Sequence, residues 1–370
     1  MTELVLNPGL DRARPYGDDL RAILSLDAAA TARTAITGWA GYAPTPLRDL
    51  RAVAGQAGLG QVLYKDEGHR FGLRSFKALG GAYAVDRLVA QRGIAGLTVA
   101  CATDGNHGRS VAWGAQRAGV KAVIYIHETV SEGRAEAIRG FGATVVREGR
   151  TYDDSVRACA EAATREGWQI VSDTSWPGYE DVPRDVMQGY ALIAAEAAGQ
   201  GAAPTHVFVQ GGVGGIAAAM LSWFWEREGE DRPNLVIVEP EKADCLFQSA
   251  KAGEPTTVGG ELDTIMAGLA CGEPSILAWR LLEPGADAFM TIPDQAAAEA
   301  MRLLADLGIV GGESGVAGLA GLLAAAGDES IRTALGLDRT SRVLCIGTEG
   351  ATDPAVYRQI VGRSAEEVEA

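Results

Sequence analysis

The sequence lacks the features of a membrane-embedded or exported protein. No apolar stretch approaches the roughly 18 uninterrupted residues that a membrane helix needs. The longest candidate, Gly211–Trp225, is followed at once by Glu226 and Arg227. The N-terminal segment carries acidic residues early and contains no apolar core of a secretory signal. We therefore expect a cytoplasmic protein with no membrane partner.

Positive charge, cysteine and histidine are also scarce. The formal net charge is −15, whereas a nucleic-acid-binding protein normally presents a basic surface. The five cysteines are scattered and never in CxxC spacing, which fits a reducing compartment and offers neither a disulfide framework nor a zinc site. The four histidines lie far apart in the sequence. These absences predict no nucleic-acid partner and no bound metal ion.

Lysine is unusually rare among the basic residues of this chain. Only five of the 33 basic residues are lysines, so arginine is clearly preferred. The five are Lys65, Lys77, Lys121, Lys242 and Lys251. A lysine at a position that looks buried therefore needs a reason.

The residues that are abundant predict an α/β protein. Hydrophobic residues make up 47% of the chain, enough for a sizeable core, and 370 residues suggest about two domains. Apolar runs, several of them β-branched, predict buried strands at 61–64, 97–102, 121–126, 144–146, 169–171, 206–210, 235–238 and 343–346. Helices are predicted at 77–91, 108–118, 132–141, 155–166, 184–198, 216–227 and 295–307. This alternation predicts largely parallel sheets, whose ligands bind beyond the carboxyl ends of the strands.

A glycine-rich loop is the sharpest local signal. The predicted strand ending at Gln210 runs into Gly211–Gly215 and then into a helix. Backbone N–H groups of such a loop, together with the helix N-terminus, suit an anion, above all a phosphate. The stretch Gly212–Ala217 also satisfies the dinucleotide pattern G-x-G-x-x-A, with Glu239 placed where a ribose-binding acid would follow. A tight turn that serves only packing is the third possibility.

Lys77 is the second signal. It opens a predicted helix and is flanked by Phe76 and by the small residues of Ala78–Gly81. A helix N-terminus and apolar surroundings both disfavour an ammonium, so we expect its pKa to be lowered. A lysine of this kind acts as a nucleophile or a base. The alternative is a surface lysine whose stem lies along the helix start.

A dense polar turn is the third signal. Thr103, Asp104, Asn106 and His107 follow the predicted strand 97–102 and precede a helix. Its amides and hydroxyl suit a carboxylate, such as that of an amino acid. The alternative is a turn in which Thr103 or Asp104 only caps the helix.

Together, these three segments resemble the fold type II pyridoxal-phosphate enzymes, which include threonine dehydratase, tryptophan synthase β and cysteine synthase. The resemblance is most specific to the diaminopropionate ammonia-lyase family. It extends over nearly the whole chain, in the family's order. The segments that carry it are 42–47, 65–83, 103–113, 173–179, 187–190, 211–215, 238–240, 264–274, 311–315 and 348–354.

The resemblance implies a cofactor, pyridoxal 5'-phosphate, and a residue set that holds it. Lys77 would form the Schiff base, and Phe76 would stack near the pyridine ring. Asn106 would lie near the ring oxygen O3′. The phosphate would be bound by Gly211, Gly212, Val213, Gly214 and Gly215.

The resemblance also implies the reaction and its acids. The family eliminates ammonia from 2,3-diaminopropionate, a small amino acid, and releases pyruvate. Lys77 would act as base on the L isomer, and Asp104 on the D isomer from the opposite face. Asp173 would be a further functional acid, unless it only forms a turn before Trp176. The implied substrate-binding residues are Thr103, Asp104, His107 and Asp173.

One departure from the family concerns the pyridine nitrogen. Type II enzymes usually place a Ser or Thr hydroxyl there, and the family has Ser-Thr where this chain has Gly347-Thr348. Thr348 or a water would have to substitute.

The implied architecture has two open, mostly parallel twisted sheets with helices on both faces. By analogy, residues 82–194 would form the small domain, and residues 1–81 with 195–370 the large cofactor-binding domain. A homodimer is expected.

Three other functions remain open at this point. A serine, threonine or hydroxyaspartate dehydratase or a β-replacement synthase would share the fold, although Asp104 and Asp173 argue against the serine and threonine dehydratases. An NAD-dependent oxidoreductase would use Gly212–Ala217 and Glu239 but leave Lys77 unexplained. The third alternative is a ligand-sensing protein that has the same fold but no catalytic activity.

Overall fold

The chain contains eleven strands and sixteen α-helices within the part that the structure describes. The computed structural model describes residues 2–370, so Met1, the first residue of the expected large domain, lies outside it. The strands are β1 Glu3–Leu6, β2 Leu47–Asp49, β3 Gln61–Asp66, β4 Thr98–Ala102, β5 Lys121–Ile126, β6 Thr144–Arg147, β7 Gln169–Ile170, β8 His206–Gln210, β9 Asn234–Pro240, β10 Ala288–Ile292 and β11 Arg342–Gly347.

The α-helices follow the strands along most of the chain. They are α1 Asp18–Arg21, α2 Leu26–Thr37, α3 Arg51–Ala57, α4 Lys77–Arg92, α5 Asn106–Ala118, α6 Glu132–Arg139, α7 Tyr152–Glu166, α8 Asp181–Gly199, α9 Gly215–Glu228, α10 Cys245–Ala252, α11 Ile276–Gly285, α12 Asp294–Asp306, α13 Ala317–Gly327, α14 Glu329–Leu335, α15 Pro354–Val361 and α16 Ala365–Glu369. Short 3₁₀ helices lie at Glu67–Gly72, Gly229–Asp231 and Ala267–Leu269. Within residues 2–370, every helix is too short or too polar to cross a bilayer.

Two separate sheets organise these elements. The larger has seven strands in the order β1-β10-β9-β8-β11-β3-β2, with antiparallel pairing only at its two edges. The smaller has four parallel strands in the order β6-β5-β4-β7. The expected fold, two mostly parallel sheets flanked by helices, is therefore confirmed.

Both faces of the large sheet are covered by the core. On β8, Val207 and Val209 belong to one buried cluster and Phe208 to the other, and on β11 Leu344 and Cys345 divide in the same way. Successive side chains of a strand point to opposite faces. A strand buried on both faces therefore needs the continuous apolar run that made β8 and β11 recognisable in the sequence.

The strands that precede the three sequence signals end close together. β3 and β8 both pair in parallel with β11, so their carboxyl ends lie at one edge of the large sheet. β3 leads through a 3₁₀ helix to α4, and β8 leads through the glycine loop to α9. The turn after β4 of the small sheet reaches the same edge, because Asn106 donates a hydrogen bond to Glu349 after β11. The fold thus places a candidate site between the two sheets.

Candidate active site

Lys77 is the first residue of α4, as the sequence predicted. The start of this helix is fixed by close packing against its neighbours. A Cβ on Gly80 would lie 2.5 Å from the ring of Tyr190 in α8, and one on Gly81 would collide with Ser110 in α5. The two glycines therefore let α4 approach both helices and hold Lys77 at their common end.

The ammonium of Lys77 forms an ion pair with the carboxylate of Asp173. Burial is the largest single influence on the pKa of Lys77 and lowers it, but the charge of Asp173, the hydrogen bond to it and the neighbouring Tyr190 together raise the pKa more, so the net shift is upward. Burial would raise the pKa of Asp173, but the charge and hydrogen bond of Lys77 together with the nearby His107 outweigh it, so the pKa of Asp173 is lowered. Our expectation of a lowered Lys77 pKa is wrong for this arrangement, because the carboxylate that pairs with Lys77 lies 96 positions away and no local pattern around Lys77 indicates the pair.

Asp173 lies in the loop after β7, and hydrogen bonds join this loop to the glycine loop. Ser175 Oγ lies 2.6 Å from Ser275 Oγ, and the Ser275 amide donates to the Val213 carbonyl at 2.9 Å. A Cβ on Gly215 would lie 3.9 Å from the carbonyl oxygen of Asp173. The Lys77–Asp173 pair is therefore held beside the glycine loop.

His107 lies next to the same pair. Its Nδ1 is 3.8 Å from Asp173 Oδ2, and its Nε2 is 2.8 Å from the carbonyl oxygen of Val171. Burial lowers the pKa of His107, so the ring is neutral at neutral pH. Nδ1 has no hydrogen-bond partner in the described part of the chain. His107 thus offers one unused ring nitrogen to the site, which is consistent with the predicted contact to substrate.

The other residues of the polar turn have separate partners. The Thr103 hydroxyl accepts hydrogen bonds from the amides of Gly105 and Gly108, at 3.0 and 3.1 Å. It therefore organises the turn, and its part in substrate binding stays a prediction. Asn106 begins α5 and contacts Glu349. Asp104 is paired with His127, 2.7 Å from His127 Nε2, and not with Lys77.

The glycine loop has the backbone shape of an anion site. Gly212 and Gly214 have φ of 60° and 96°, a region that favours glycine. A Cβ on Gly214 would lie 3.0 Å from Leu282 in α11, so the loop is also closely packed. Helix α9 begins at Gly215, and the first amides of a helix have no partner within it. These amides and the helix dipole suit a phosphate.

Glu239 is not available for a dinucleotide. Its carboxylate is buried and accepts hydrogen bonds from the amides of Leu246 and Phe247, at 3.1 and 2.7 Å. A Cβ on Gly211 would lie 2.5 Å from its Cγ. The side chain therefore caps α10 beneath the glycine loop and cannot reach a ribose. The NAD-dependent alternative is wrong on this point.

The structure explains the departure at Gly347. A Cβ there would collide with the ring of Tyr64, which occupies the space of a serine side chain. The next residue, Thr348, is buried, and its hydroxyl accepts a hydrogen bond from Gln210 Nε2 at 3.1 Å. Its carbonyl accepts from the Phe76 amide at 2.9 Å. Thr348 therefore lies next to the residue before Lys77, and its role toward a pyridine nitrogen stays a prediction.

Several site residues were missed by the sequence reasoning. Burial raises the pKa of Tyr152, and the carboxylates of Asp173 and Asp104 raise it further. Cys271 Sγ would lie 3.8 Å from a Cβ on Gly212. Cys271 falls in segment 264–274, one of the segments that resemble the family, so the resemblance could have identified it. Tyr152 follows a helix N-cap, and neither a motif nor the family resemblance indicated it.

The residues around Lys77 fit pyridoxal 5'-phosphate. They provide an amine for its aldehyde, amides of residues 211–215 for its phosphate, and an aromatic side chain, Phe76, at the base of the lysine. Phe76 packs against Tyr190 with ring centroids 4.6 Å apart. The Tyr190 hydroxyl is buried beside Lys77, and apart from Lys77 it has no hydrogen-bond partner among residues 2–370. A buried polar atom of this kind usually has a partner in the functional state.

Comparison with known proteins agrees with this geometry. Residues 39–347 match the family model described as pyridoxal-phosphate dependent enzyme. The chain is 42% identical over 351 residues to the diaminopropionate ammonia-lyase of Escherichia coli strain K12, covering 87% of this chain and 88% of that protein.

Solved structures of the E. coli enzyme are also similar. The selenomethionine holoenzyme superposes with a TM-score of 0.91 at 38% identity, over 98% of this chain and 96% of that one. A complex with an aminoacrylate–PLP azomethine reaction intermediate gives a TM-score of 0.90 at 38% identity, over 98% and 97% of the two chains. The chain therefore belongs to the diaminopropionate ammonia-lyase family of pyridoxal-phosphate dependent enzymes.

Proposed function

We propose that this protein eliminates ammonia from 2,3-diaminopropionate, as the D isomer, the L isomer or both. With one water consumed, the products are pyruvate and two molecules of ammonia. The observation that carries the proposal is the ion pair of Asp173 with an ammonium beside the glycine loop. Asp173 is thus an acid that binds an alkylammonium group at the site. The β-carbon of the proposed substrate carries such a group.

Residues of the chain divide the proton transfers between them. Once bound, the cofactor supplies an electron sink for the substrate's Cα. Lys77 Nζ removes the Cα proton of the L isomer, and a carboxylate oxygen of Asp104 removes that of the D isomer. In the D reaction, Asp104 passes the proton it has taken to the departing β-nitrogen. In the L reaction the carboxylate has no proton to give, and the β-ammonium leaves as ammonia without its help. The different partners of the two groups, Asp173 and His127, support a separate task for each.

Two carboxylates favour a diamine over a hydroxyamino acid. When Lys77 holds the cofactor, Asp173 loses its ammonium partner and is available for the substrate's β-ammonium. Charge-assisted hydrogen bonds of this kind are stronger than those to a neutral hydroxyl. A serine or threonine would leave the acids without a cation, which selects against the dehydratase alternative.

The experiment is a comparison of substrates and of one variant. We expect pyruvate from diaminopropionate at a far higher kcat/KM than from D-serine, L-serine or L-threonine. Asp104→Asn should lower turnover of the D isomer by about 10²- to 10⁴-fold, the range of a lost general base, and turnover of the L isomer far less. Equal losses on both isomers would contradict the two-base assignment. Preference for a hydroxyamino acid would contradict the proposed substrate.

We also propose the domain division, the cytoplasmic location and the homodimer that the resemblance implies. The small sheet, β4 to β7, lies wholly within residues 82–194, which supports that range for the small domain. Light scattering of the purified protein at micromolar concentration tests the dimer.

A further inference from the structure

Asp104 and His127 meet because their strands are neighbours. Asp104 follows β4, and His127 is the residue immediately after β5. The two strands are parallel, and Ala102 pairs with Tyr125, so both residues leave the sheet at the same edge. His127 Nε2 lies 2.7 Å from Asp104 Oδ1. The contact is therefore built into the small sheet rather than made by a chance surface rotamer.

A third residue orients the imidazole. Thr129 Oγ1 lies 2.9 Å from His127 Nδ1. In the neutral ring, Nε2–H donates to Asp104 and Nδ1 accepts from the threonine hydroxyl; in the charged ring, the threonine oxygen accepts instead. The threonine hydroxyl can therefore hydrogen-bond to Nδ1 whether or not that nitrogen carries a proton. The chain Thr129–His127–Asp104 thus keeps the carboxylate bonded to a ring N–H in both protonation states.

The arrangement fixes Asp104 while leaving it reactive. Arg134 Nη1 donates to the Asp104 carbonyl at 3.1 Å and Nη2 donates to Glu313 at 3.1 Å, which ties the turn to the large sheet's side of the site. The side chain is held through Oδ1 alone; in the described chain, Oδ2 has no hydrogen bond. The side chain remains 33% exposed. One carboxylate oxygen is therefore anchored and the other is open.

We infer that His127 is a positioning residue for Asp104, holding its free carboxylate oxygen toward the substrate for proton transfer to and from the D isomer. The inference rests on the proposed function, since it assumes that Asp104 is the base for that isomer. Within residues 2–370, His127 contacts neither Lys77 nor Asp173. Its effect should therefore depend on the enantiomer.

The test compares both enantiomers in four variants. His127→Ala should lower kcat for the D isomer by about 10- to 100-fold, the size of one hydrogen bond to a charged group. KM for the D isomer and kcat for the L isomer should stay within about twofold. His127→Gln, whose amide can still donate, should restore most of the D activity. Thr129→Val should lower kcat for the D isomer by a smaller factor and again leave kcat for the L isomer nearly unchanged.

His69→Ala is the matched control. His69 also pairs through Nε2 with an aspartate, Asp66, at 3.2 Å, but it lies near Arg48 on the edge strand β2 and is 47% exposed. This variant should leave both enantiomers unchanged. Thermal unfolding of each variant separates a lost fold from a lost contact, and His127→Gln serves if His127→Ala does not fold.

The outcomes distinguish this inference from the proposed function. Equal losses on both isomers, or no loss in His127→Ala, would overturn the positioning role while the elimination reaction stands. An unmodified enzyme that acts on the L isomer alone would overturn it too. An unmodified protein that releases pyruvate from neither isomer would instead overturn the proposed function.

Discussion

Lys65 and Lys77 are both withdrawn from solvent and both paired with a carboxylate, yet their surroundings are opposite. Lys65, on β3, is fully buried, and its ammonium donates to the Thr45 carbonyl, Glu196 and Gln200 at 2.7, 2.7 and 2.9 Å. An ammonium has three N–H groups, so each has an acceptor. Arg70 donates to the same Glu196 and completes a closed network. Lys65 therefore has neither a spare donor nor room for a ligand.

Lys77 pairs with Asp173 in a more open setting. Its side chain is 18% exposed, at a helix start and beside a glycine loop. The shift in pKa alone would select the wrong lysine. Burial lowers the pKa of Lys65, whereas the pKa of Lys77 is raised, because Asp173 and the other groups around Lys77 together outweigh burial. Access and neighbouring groups, more than acidity, therefore distinguish a reactive lysine from a structural one.

The largest expected effect is that of Lys77→Ala. We expect kcat to fall by at least about 10³-fold and the purified protein to lose its yellow colour, because no amine remains to hold the cofactor or move the Cα proton. The thermal unfolding midpoint should change less than in Lys65→Met. Pyruvate release and the visible spectrum measure both effects. A yellow and active variant would remove the distinction between the two lysines.

Lys65→Met should show the opposite behaviour. Without Lys65, the buried cluster of Glu67, Glu196 and Arg70 keeps two carboxylates and only one cation. This uncompensated negative charge should lower the free energy of unfolding by about 3–5 kcal/mol. The folded fraction should keep its colour and its kcat. Urea unfolding of this variant and of Lys251→Met, an exposed control expected within about 0.5 kcal/mol of the parent protein, checks the contrast. An unchanged free energy of unfolding in Lys65→Met would contradict the structural role of this lysine.

Asp173 and Glu196, the carboxylate partners of Lys77 and Lys65, should differ in the same way as the two lysines. Asp173→Asn should lower kcat/KM for diaminopropionate by about 10- to 100-fold, since a charge-assisted contact to the substrate is lost, and should change stability little. Glu196→Gln should instead destabilise the fold and spare the kinetics of the folded protein. Both are measured by steady-state kinetics alongside urea unfolding. Full activity in Asp173→Asn would show that Asp173 does not bind the substrate's ammonium group.

Local patterns of the sequence predicted most of the fold and the frame of the site. A strand, a turn and a helix are contiguous, so the glycine loop after β8 and the position of Lys77 at the start of α4 could be located from sequence alone. The short strands β1 and β2 were missed because edge strands carry charged residues and only partly buried side chains. β10 was missed too, although it is fully buried.

Partners distant in sequence could not be predicted from the residues themselves. Asp173 lies 96 positions from Lys77, and Glu196 lies 131 from Lys65. Only the family resemblance pointed to Asp173. Nothing pointed to His127, because its contact with Asp104 depends on the pairing of β4 with β5. Tertiary structure, rather than local pattern, determines which charged groups face each other.

Borohydride treatment of the purified yellow protein, followed by peptide mapping, identifies the lysine that holds the cofactor. Reduction fixes the cofactor covalently to the lysine that holds it. We predict bleaching with the label on the peptide that contains Lys77 and none on the peptide that contains Lys65. Label on Lys65, or a colourless protein that takes up no label when pyridoxal 5'-phosphate is supplied, would contradict the account.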